Sequence, residues 1–169
     1  NTAAQLVVDD DGRSAGSDDH VLGVPASTTT TTIEDLTVRG SARLVLVAPL
    51  AAGSVRLEDT AVITHLQTSP DLEAGLELTA DRLAIDANAA IDVSARGYVA
   101  DCAPSDNSCG GGAHTVGNVN GGARQYSAGS YGGLGGGSSP NPTYGDALAP
   151  DQLGSGGGYG NGGGEPGGD

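Results

Sequence analysis

The sequence predicts an all-β protein, and more particularly a right-handed parallel β-helix, or solenoid. Apolar residues recur two positions apart in very short stretches, Phe, Trp and Met are absent, and no segment shows a sustained helical repeat. When apolar and polar residues alternate with a period of two, one face of a short strand points inward. A core that consists of Val, Ile, Leu and Ala suits the narrow interior of a stacked β structure.

The apolar couplets fill residues 33–93, with polar or turn residues between them. Leu36, Leu57 and Leu78 are 21 residues apart. Three short strands in a coil of about 20 residues describe one rung of a β-helix, whose stacked rungs bury a continuous column of aliphatic side chains. A β-sandwich, with longer strands, remains the alternative. The couplets are Leu36/Val38, Leu44/Leu46, Val55/Leu57, Leu76/Leu78, Leu83/Ile85 and Ile91/Val93.

Composition divides the chain into three segments. Residues 1–32 contain short apolar runs around an acidic turn, and then a run of Thr that favours strand. Residues 33–99 contain the predicted rungs. Residues 100–169 contain a cysteine loop and a glycine-rich block, which holds 23 of the 30 Gly residues from Gly110 onward. Because Tyr, Leu and Pro punctuate this block, we expect it to be partly ordered, and to pack on or extend from the solenoid.

Cys102 and Cys109 enclose the sequence APSDNS. Its turn-forming residues can bring two Cβ atoms within reach of a disulfide bond, which predicts an extracytoplasmic compartment. Two free thiols, or half of a metal site, are the alternatives. Zinc sites usually need a second pair of ligands, which the sequence lacks.

The sequence DDDGRSAGSDD places five carboxylates around a turn that glycine permits. Carboxylates at this density repel one another unless a cation binds, and calcium takes oxygen ligands of this kind. The ligand order of an EF-hand is missing, and a solvated loop is the alternative. The predicted calcium ligands are Asp9, Asp10, Asp11, Asp18 and Asp19.

The charge of the chain excludes one class of partner. Its 21 acidic and seven basic residues give a net charge of −14, whereas nucleic-acid binding needs a basic footprint. The longest apolar run, LVLVAPLAA, is much shorter than the roughly 20 residues that span a bilayer, so we expect no membrane insertion of this chain. The terminal GGGEPGGD leads us to expect a piece of a longer protein.

No motif in the sequence indicates an enzyme or a required cofactor. The P-loop needs a Lys, which the chain lacks, and neither HExxH nor GxSxG occurs. His65 is expected to face outward from a strand. The alternative function is a polysaccharide-binding or polysaccharide-cleaving β-helix. Such a protein needs clustered carboxylates, or a bound calcium with a basic residue that serves as base, on one face of the solenoid. Its candidate residues are Glu58, Asp59, Glu77, Asp81, Asp86 and Asp92, with Arg39, Arg56, Arg82 and Arg96.

The segment LTADRLAIDANAAIDVSARGY, followed by a glycine-rich stretch and YGDALAPDQLGSGGG, resembles a module of large secreted or surface-anchored bacterial proteins. The resemblance covers residues 76–169, and the Cys102–Cys109 loop departs from it. It implies β-helical rungs with a glycine-rich insertion, an extracellular or cell-surface location, and a structural or adhesive role within a larger protein or filament. The expected partners are further copies of the chain, other surface proteins and glycans.

Overall fold

The computed structural model describes residues 4–10, 19–23, 27–100, 113–124 and 126–159. Within these ranges it contains parallel sheets and no helix, which confirms the all-β prediction. The chain divides into two compact units. Unit 1 comprises Asn1–Leu66 and Leu76–Asp92, and unit 2 comprises Gln67–Gly75 and Val93–Asp169.

Among the described residues, the strands of unit 1 alternate between two parallel sheets. The odd-numbered strands form one sheet, in the order β1-β3-β5-β7, and the even-numbered strands form the other, in the order β2-β4-β6-β8. Each strand therefore lies beside the strand that follows two places later in the chain. The strands are β1 (Gln5–Asp9), β2 (Asp19–Leu22), β3 (Thr31–Arg39), β4 (Arg43–Leu46), β5 (Leu50–Leu57), β6 (Val62–His65), β7 (Leu78–Ile85) and β8 (Ala90–Ile91).

We call one odd-numbered strand, the even-numbered strand that follows it and their connections a coil. The register of the sheets gives the number of residues from one coil to the next. Leu36 of β3 aligns with Val55 of β5, 19 residues later. Val55 aligns with Leu83 of β7, 28 residues later. The even strands repeat the same two spacings. The interval from Leu6 of β1 to Leu36 is 30 residues. Successive coils therefore differ in length while their strands stay in register.

The prediction of a regular repeat from the spacing of 21 residues between Leu36, Leu57 and Leu78 is therefore wrong about the register. Leu57 aligns with Val38 and not with Leu36. The longer coil contains Gln67–Gly75, which belongs to unit 2. Because this insertion shifts every later couplet along the sequence, an average spacing reproduces neither of the true intervals.

The alternation of inward and outward side chains is interrupted once within a long odd-numbered strand. In β5, two residues instead of one separate the second and third buried positions, so the alternation breaks once. Gly53 occupies the break, where an added Cβ would lie 2.9 Å from the Glu34 carbonyl oxygen. Each long strand thus contributes two inward couplets. The buried residues of β5 are Leu50, Ala52, Val55 and Leu57.

The core of unit 1 is aliphatic and draws on both sheets. Burying one such side chain fully contributes roughly 1.5–3 kcal/mol, and the parallel register stacks equivalent side chains from coil to coil. Three of the predicted couplets lie wholly in this core. They are Leu36/Val38, Leu44/Leu46 and Val55/Leu57.

Unit 2 has little regular structure but a dense set of backbone hydrogen bonds. Its hairpin consists of β9 (His114–Thr115) and β10 (Val119–Asn120). The His114 amide donates to the Val99 carbonyl at 2.9 Å, and the Gly156 amide donates to the His114 carbonyl at 3.0 Å. A Cβ at Gly156 would collide with the Val99 carbonyl oxygen. Glycine therefore permits the close backbone approach on which this network depends.

Replacing Leu36 by Ala should lower the free energy of unfolding by about 2–5 kcal/mol, since it leaves a cavity in the core. Leu83→Ala is the matched control, because Leu83 occupies the same column and is 51% exposed. Leu83→Ala should lower the free energy of unfolding by less than about 1 kcal/mol, because the exposed side chain buries little surface. Urea titration followed by circular dichroism measures both. Equal losses in the two variants would contradict this description of the core.

Candidate functional site

Three turns that lead from odd to even strands lie in equivalent positions of successive coils. We name Arg39–Ala42, Glu58–Ala61 and Asp86–Ala89 together the turn column. In each turn the amide of the fourth residue donates to the carbonyl of the first, at 3.3, 3.1 and 3.0 Å respectively. The fourth residue is Ala every time, and its small side chain fits the inward position at the end of the turn. The repeated geometry keeps the coils aligned.

The carboxylates of the turn column bind the backbone of the neighbouring turn. Asp59 Oδ2 accepts a hydrogen bond from the Gly40 amide at 3.1 Å. Asp86 Oδ2 accepts one from the Asp59 amide at 3.2 Å. Gly40 and Asp59 have φ angles of 70° and 60°, in the left-handed region that Gly and Asp tolerate best. These acids link one coil to the next.

Part of the predicted calcium site contacts the turn column. Asp9 Oδ2 lies 2.5 Å from Arg39 Nε, and Asp10 accepts a hydrogen bond from the Ser41 hydroxyl. Asp11, Asp18 and the side chain of Asp19 lie outside the described residues. Within the described part of the chain, no group of three or more His, Cys, Asp or Glu side chains is arranged to hold a metal ion. Calcium binding stays a prediction.

A polar ladder crosses the outer face of the odd sheet. Asp35 of β3 accepts hydrogen bonds from Gln5 Nε2 of β1 at 3.2 Å and from the Ser54 hydroxyl of β5. The Ser54 bond is the main cause that lowers the pKa of Asp35, followed by the Gln5 bond. One charged carboxylate thereby ties three successive coils together at neutral pH.

Tyr98 is the largest fully buried side chain among the described residues of unit 2, with 1% of its surface exposed. Its hydroxyl donates to Glu73 Oε1 at 2.8 Å and accepts from the Gly117 amide at 3.2 Å. Burial, together with the hydrogen bond to Glu73, raises the pKa of Tyr98 to about 12. The hydroxyl is therefore a fixed donor near neutral pH, and it joins Gln67–Gly75 to the hairpin.

His114 and Asn118 make a second link to the same segment. His114 Nδ1 lies 2.9 Å from Asn118 Oδ1, and Asn118 Nδ2 donates to the Ser69 carbonyl at 2.9 Å. Asn118 has a φ of 51°, which Asn tolerates better than most residues. The polar groups of this cluster hold two segments of unit 2 together.

Tyrosines also anchor the glycine-rich block. Tyr131 and Tyr144 pack edge to face, with ring centroids 5.3 Å apart, a favourable arrangement for aromatic pairs. The Tyr144 hydroxyl donates to the Leu153 carbonyl at 2.5 Å, and burial raises the pKa of Tyr144. A Cβ at Gly145 would collide with the Tyr131 ring. The rings therefore fit against glycine backbone.

Strand β7 is an open edge of the odd sheet. Among the described strands it pairs with β5 alone. Leu83 and Ile85 align with the buried Val55 and Leu57, yet they are 51% and 44% exposed. The apolar column of unit 1 thus ends in a strand with exposed aliphatic side chains, a feature that sequence periodicity could not distinguish from an interior strand.

The structure corrects the expected position of His65 and leaves two predicted residues untested. His65 is wholly buried. Because Ile63 and His65 are two positions apart in β6, both face the same side, and Ile63 faces the core. Cys102 and Cys109 lie outside the described residues.

The candidate carboxylates of the polysaccharide alternative are distributed over several elements. Asp59 and Asp86 meet in the turn column, where both accept backbone hydrogen bonds. Asp81 lies on β7, and Arg56 Nη1 lies 3.8 Å from Glu58 Oε1. The acids that the structure brings together therefore make structural hydrogen bonds.

No family model, curated protein or solved structure matches this chain. The resemblance to surface-protein modules therefore depends on the residues quoted for it. None of the described residues lies in a helix that is long and apolar enough to cross a membrane.

Replacing Tyr98 by Phe should lower the free energy of unfolding by about 1–2 kcal/mol at neutral pH, because the hydrogen bonds to Glu73 and Gly117 are lost. The pKa of Tyr98, about 12, lies above the ordinary value of 10.0. The stability due to its neutral form is therefore complete below pH 10 and is lost as the pH rises through 12.

Urea titrations across this pH range should show a steeper loss in the unaltered protein than in Tyr98→Phe. Tyr126→Phe is the control, since its side chain is 61% exposed. Parallel curves for the unaltered protein and Tyr98→Phe would contradict the assignment.

Proposed function

We propose that this chain is a non-enzymatic structural or adhesive module of an extracellular surface protein or filament. We further propose that unit 1 is a right-handed parallel β-helix. Strands that alternate between two parallel sheets, in register over successive coils, support this architecture. The right hand follows from the general rule that roughly 98% of parallel crossover connections have it.

The observation that supports this function best is that polar side chains form hydrogen bonds between neighbouring coils. Asp35, Asp59 and Asp86 each accept hydrogen bonds from a neighbouring coil. Such bonds add lateral links to the backbone ladder, and they resist sliding of one coil over the next. A stack of this kind supplies stiffness and length, which are the properties that a surface module needs.

The location is proposed on the cysteines and on the resemblance to surface-protein modules. A disulfide between Cys102 and Cys109 would persist in an extracellular compartment. A thiol count under denaturing, non-reducing conditions tests it, and two free thiols would contradict the pairing.

Calcium binding at the acidic turn is proposed as an accessory property. Two of its five predicted ligands, Asp9 and Asp10, begin the segment and bond to Arg39 and Ser41. If calcium binds there, a chelator should lower the melting temperature and added calcium should restore it. A melting temperature that does not respond to either would exclude the site.

The structural function predicts no turnover of acidic or neutral glycans. A panel of such glycans, incubated with the protein and analysed for new reducing ends, tests this prediction. Asp86→Asn and Asp92→Asn distinguish true turnover from contamination, and Asp146→Asn is the matched control in unit 2. Turnover that is lost in Asp86→Asn or Asp92→Asn, but not in Asp146→Asn, would establish the polysaccharide-cleaving alternative instead.

A further inference from the structure

We propose that β7 binds the β7 strand of a second copy of this chain, in an antiparallel pair with its two-fold axis at Ala84. The proposal names a partner for the structural module and relies on the proposed function only for its biological setting. The geometry of the contact depends on β7 alone, so it can fail while the absence of glycan turnover holds.

The edge is accessible over the length that the contact needs. Residues 81–86 are all exposed, and β7 pairs with β5 alone among the described strands. A strand edge with unpaired backbone groups is a template for another strand. Pairing would also cover part of the exposed surface of Leu83 and Ile85.

The backbone groups of β7 fit this register. The Asp86 amide donates to the Leu57 carbonyl at 2.9 Å, so it points towards β5. Because backbone groups alternate in direction along a strand, the amides of Leu83 and Ile85 point to the open side. With the axis at Ala84, Leu83 of one copy lies opposite Ile85 of the other, and the two residues exchange both backbone hydrogen bonds.

The side chains of β7 fit the same register. The axis that pairs Leu83 with Ile85 also places Arg82 of each copy opposite Asp86 of the other. Arg82 and Ala84 share the outer face of β7, since they alternate with the inward-facing residues. Asp86 follows β7 directly, and its amide still bonds to the Leu57 carbonyl, so the same alternation extends to it. Two opposite-charge pairs therefore flank the central residues, and cross-strand pairs of this kind stabilise a sheet.

Other arrangements lose these pairs. An axis at Ile85 places Arg82 opposite Asn88, and an axis at Leu83 places it opposite Ala84. A head-to-tail contact that continues the parallel register would place Asp86 opposite Asp9 of the next copy, and like charges in that position are destabilising. Charge complementarity therefore favours the symmetric dimer over an open filament.

A cysteine at the axis tests the register directly. Ala84→Cys should form a disulfide-linked dimer under mild oxidation, because residue 84 faces its own equivalent across a closely spaced pair. Ala87→Cys is the control, since the proposed register separates its two copies widely. The unaltered chain, which contains Cys102 and Cys109, gives the background on the same non-reducing gel. Equal cross-linking of the two variants would overturn the register.

Charge reversal tests the contact in solution. Arg82→Asp and Asp86→Arg should each weaken dimerisation roughly tenfold or more, because both symmetric pairs become repulsive. The double variant Arg82→Asp/Asp86→Arg should recover it. Sedimentation equilibrium across the micromolar to millimolar range measures the dissociation constants. The salt concentration is about 0.15 M, because the Debye length is then about 8 Å and the repulsion between two copies of charge −14 is screened.

Arg124→Asp, the same change of charge as Arg82→Asp but in unit 2, should leave dimerisation unchanged. Circular dichroism checks that each variant is folded, above all Asp86→Arg, which loses the hydrogen bond from the Asp59 amide. Recovery in the double variant would support the proposal. A chain that is monomeric throughout, an open series of oligomers, or a double variant no better than the single ones would each overturn it.

Discussion

The parallel, in-register pairing between successive coils is the constraint on which unit 1 depends. It aligns Leu36, Val55 and Leu83, and it brings the turns of neighbouring coils together. Every coil therefore aligns its inward side chains with those of the next coil and repeats the turn geometry at the corner. Most of these inward side chains are aliphatic, whereas His65, which aligns with Leu46, is polar. Variation is confined to the connections, where the chain inserts residues without a change in register.

The insertion Gln67–Gly75 is an example of such a connection. The nine residues leave the coil between β6 and β7 and become part of unit 2, where Tyr98 and Asn118 bind them. Unit 2 then needs little regular secondary structure, because the buried Tyr98, the half-buried pair Tyr131 and Tyr144, and close-packed glycine backbone fix it. The chain thus combines a repetitive unit that tolerates insertions with an irregular unit partly built from one of them.

The fold class was predictable from sequence because period-two couplets and a lack of large aromatics are direct consequences of a stacked β core. The couplet Leu36/Val38 is buried as predicted. The register was not predictable, since the inserted residues resemble any polar loop until Tyr98 and Asn118 show what binds them. The polar side chain of His65 favours an outward position, whereas its spacing of two residues from Ile63 places it on the buried side of β6. The hydrogen bonds that Asp59 and Asp86 accept depend on turn stacking, which a single coil does not reveal.

A measurement of the strand register tests the parallel pairing of unit 1 most directly. Nuclear Overhauser effects between backbone protons of adjacent strands report which residues lie side by side. We expect contacts that connect Leu36 to Val55 and Val55 to Leu83, in a parallel pattern. Contacts that connect Leu36 to Leu57, or an antiparallel pattern between β3 and β5, would contradict it.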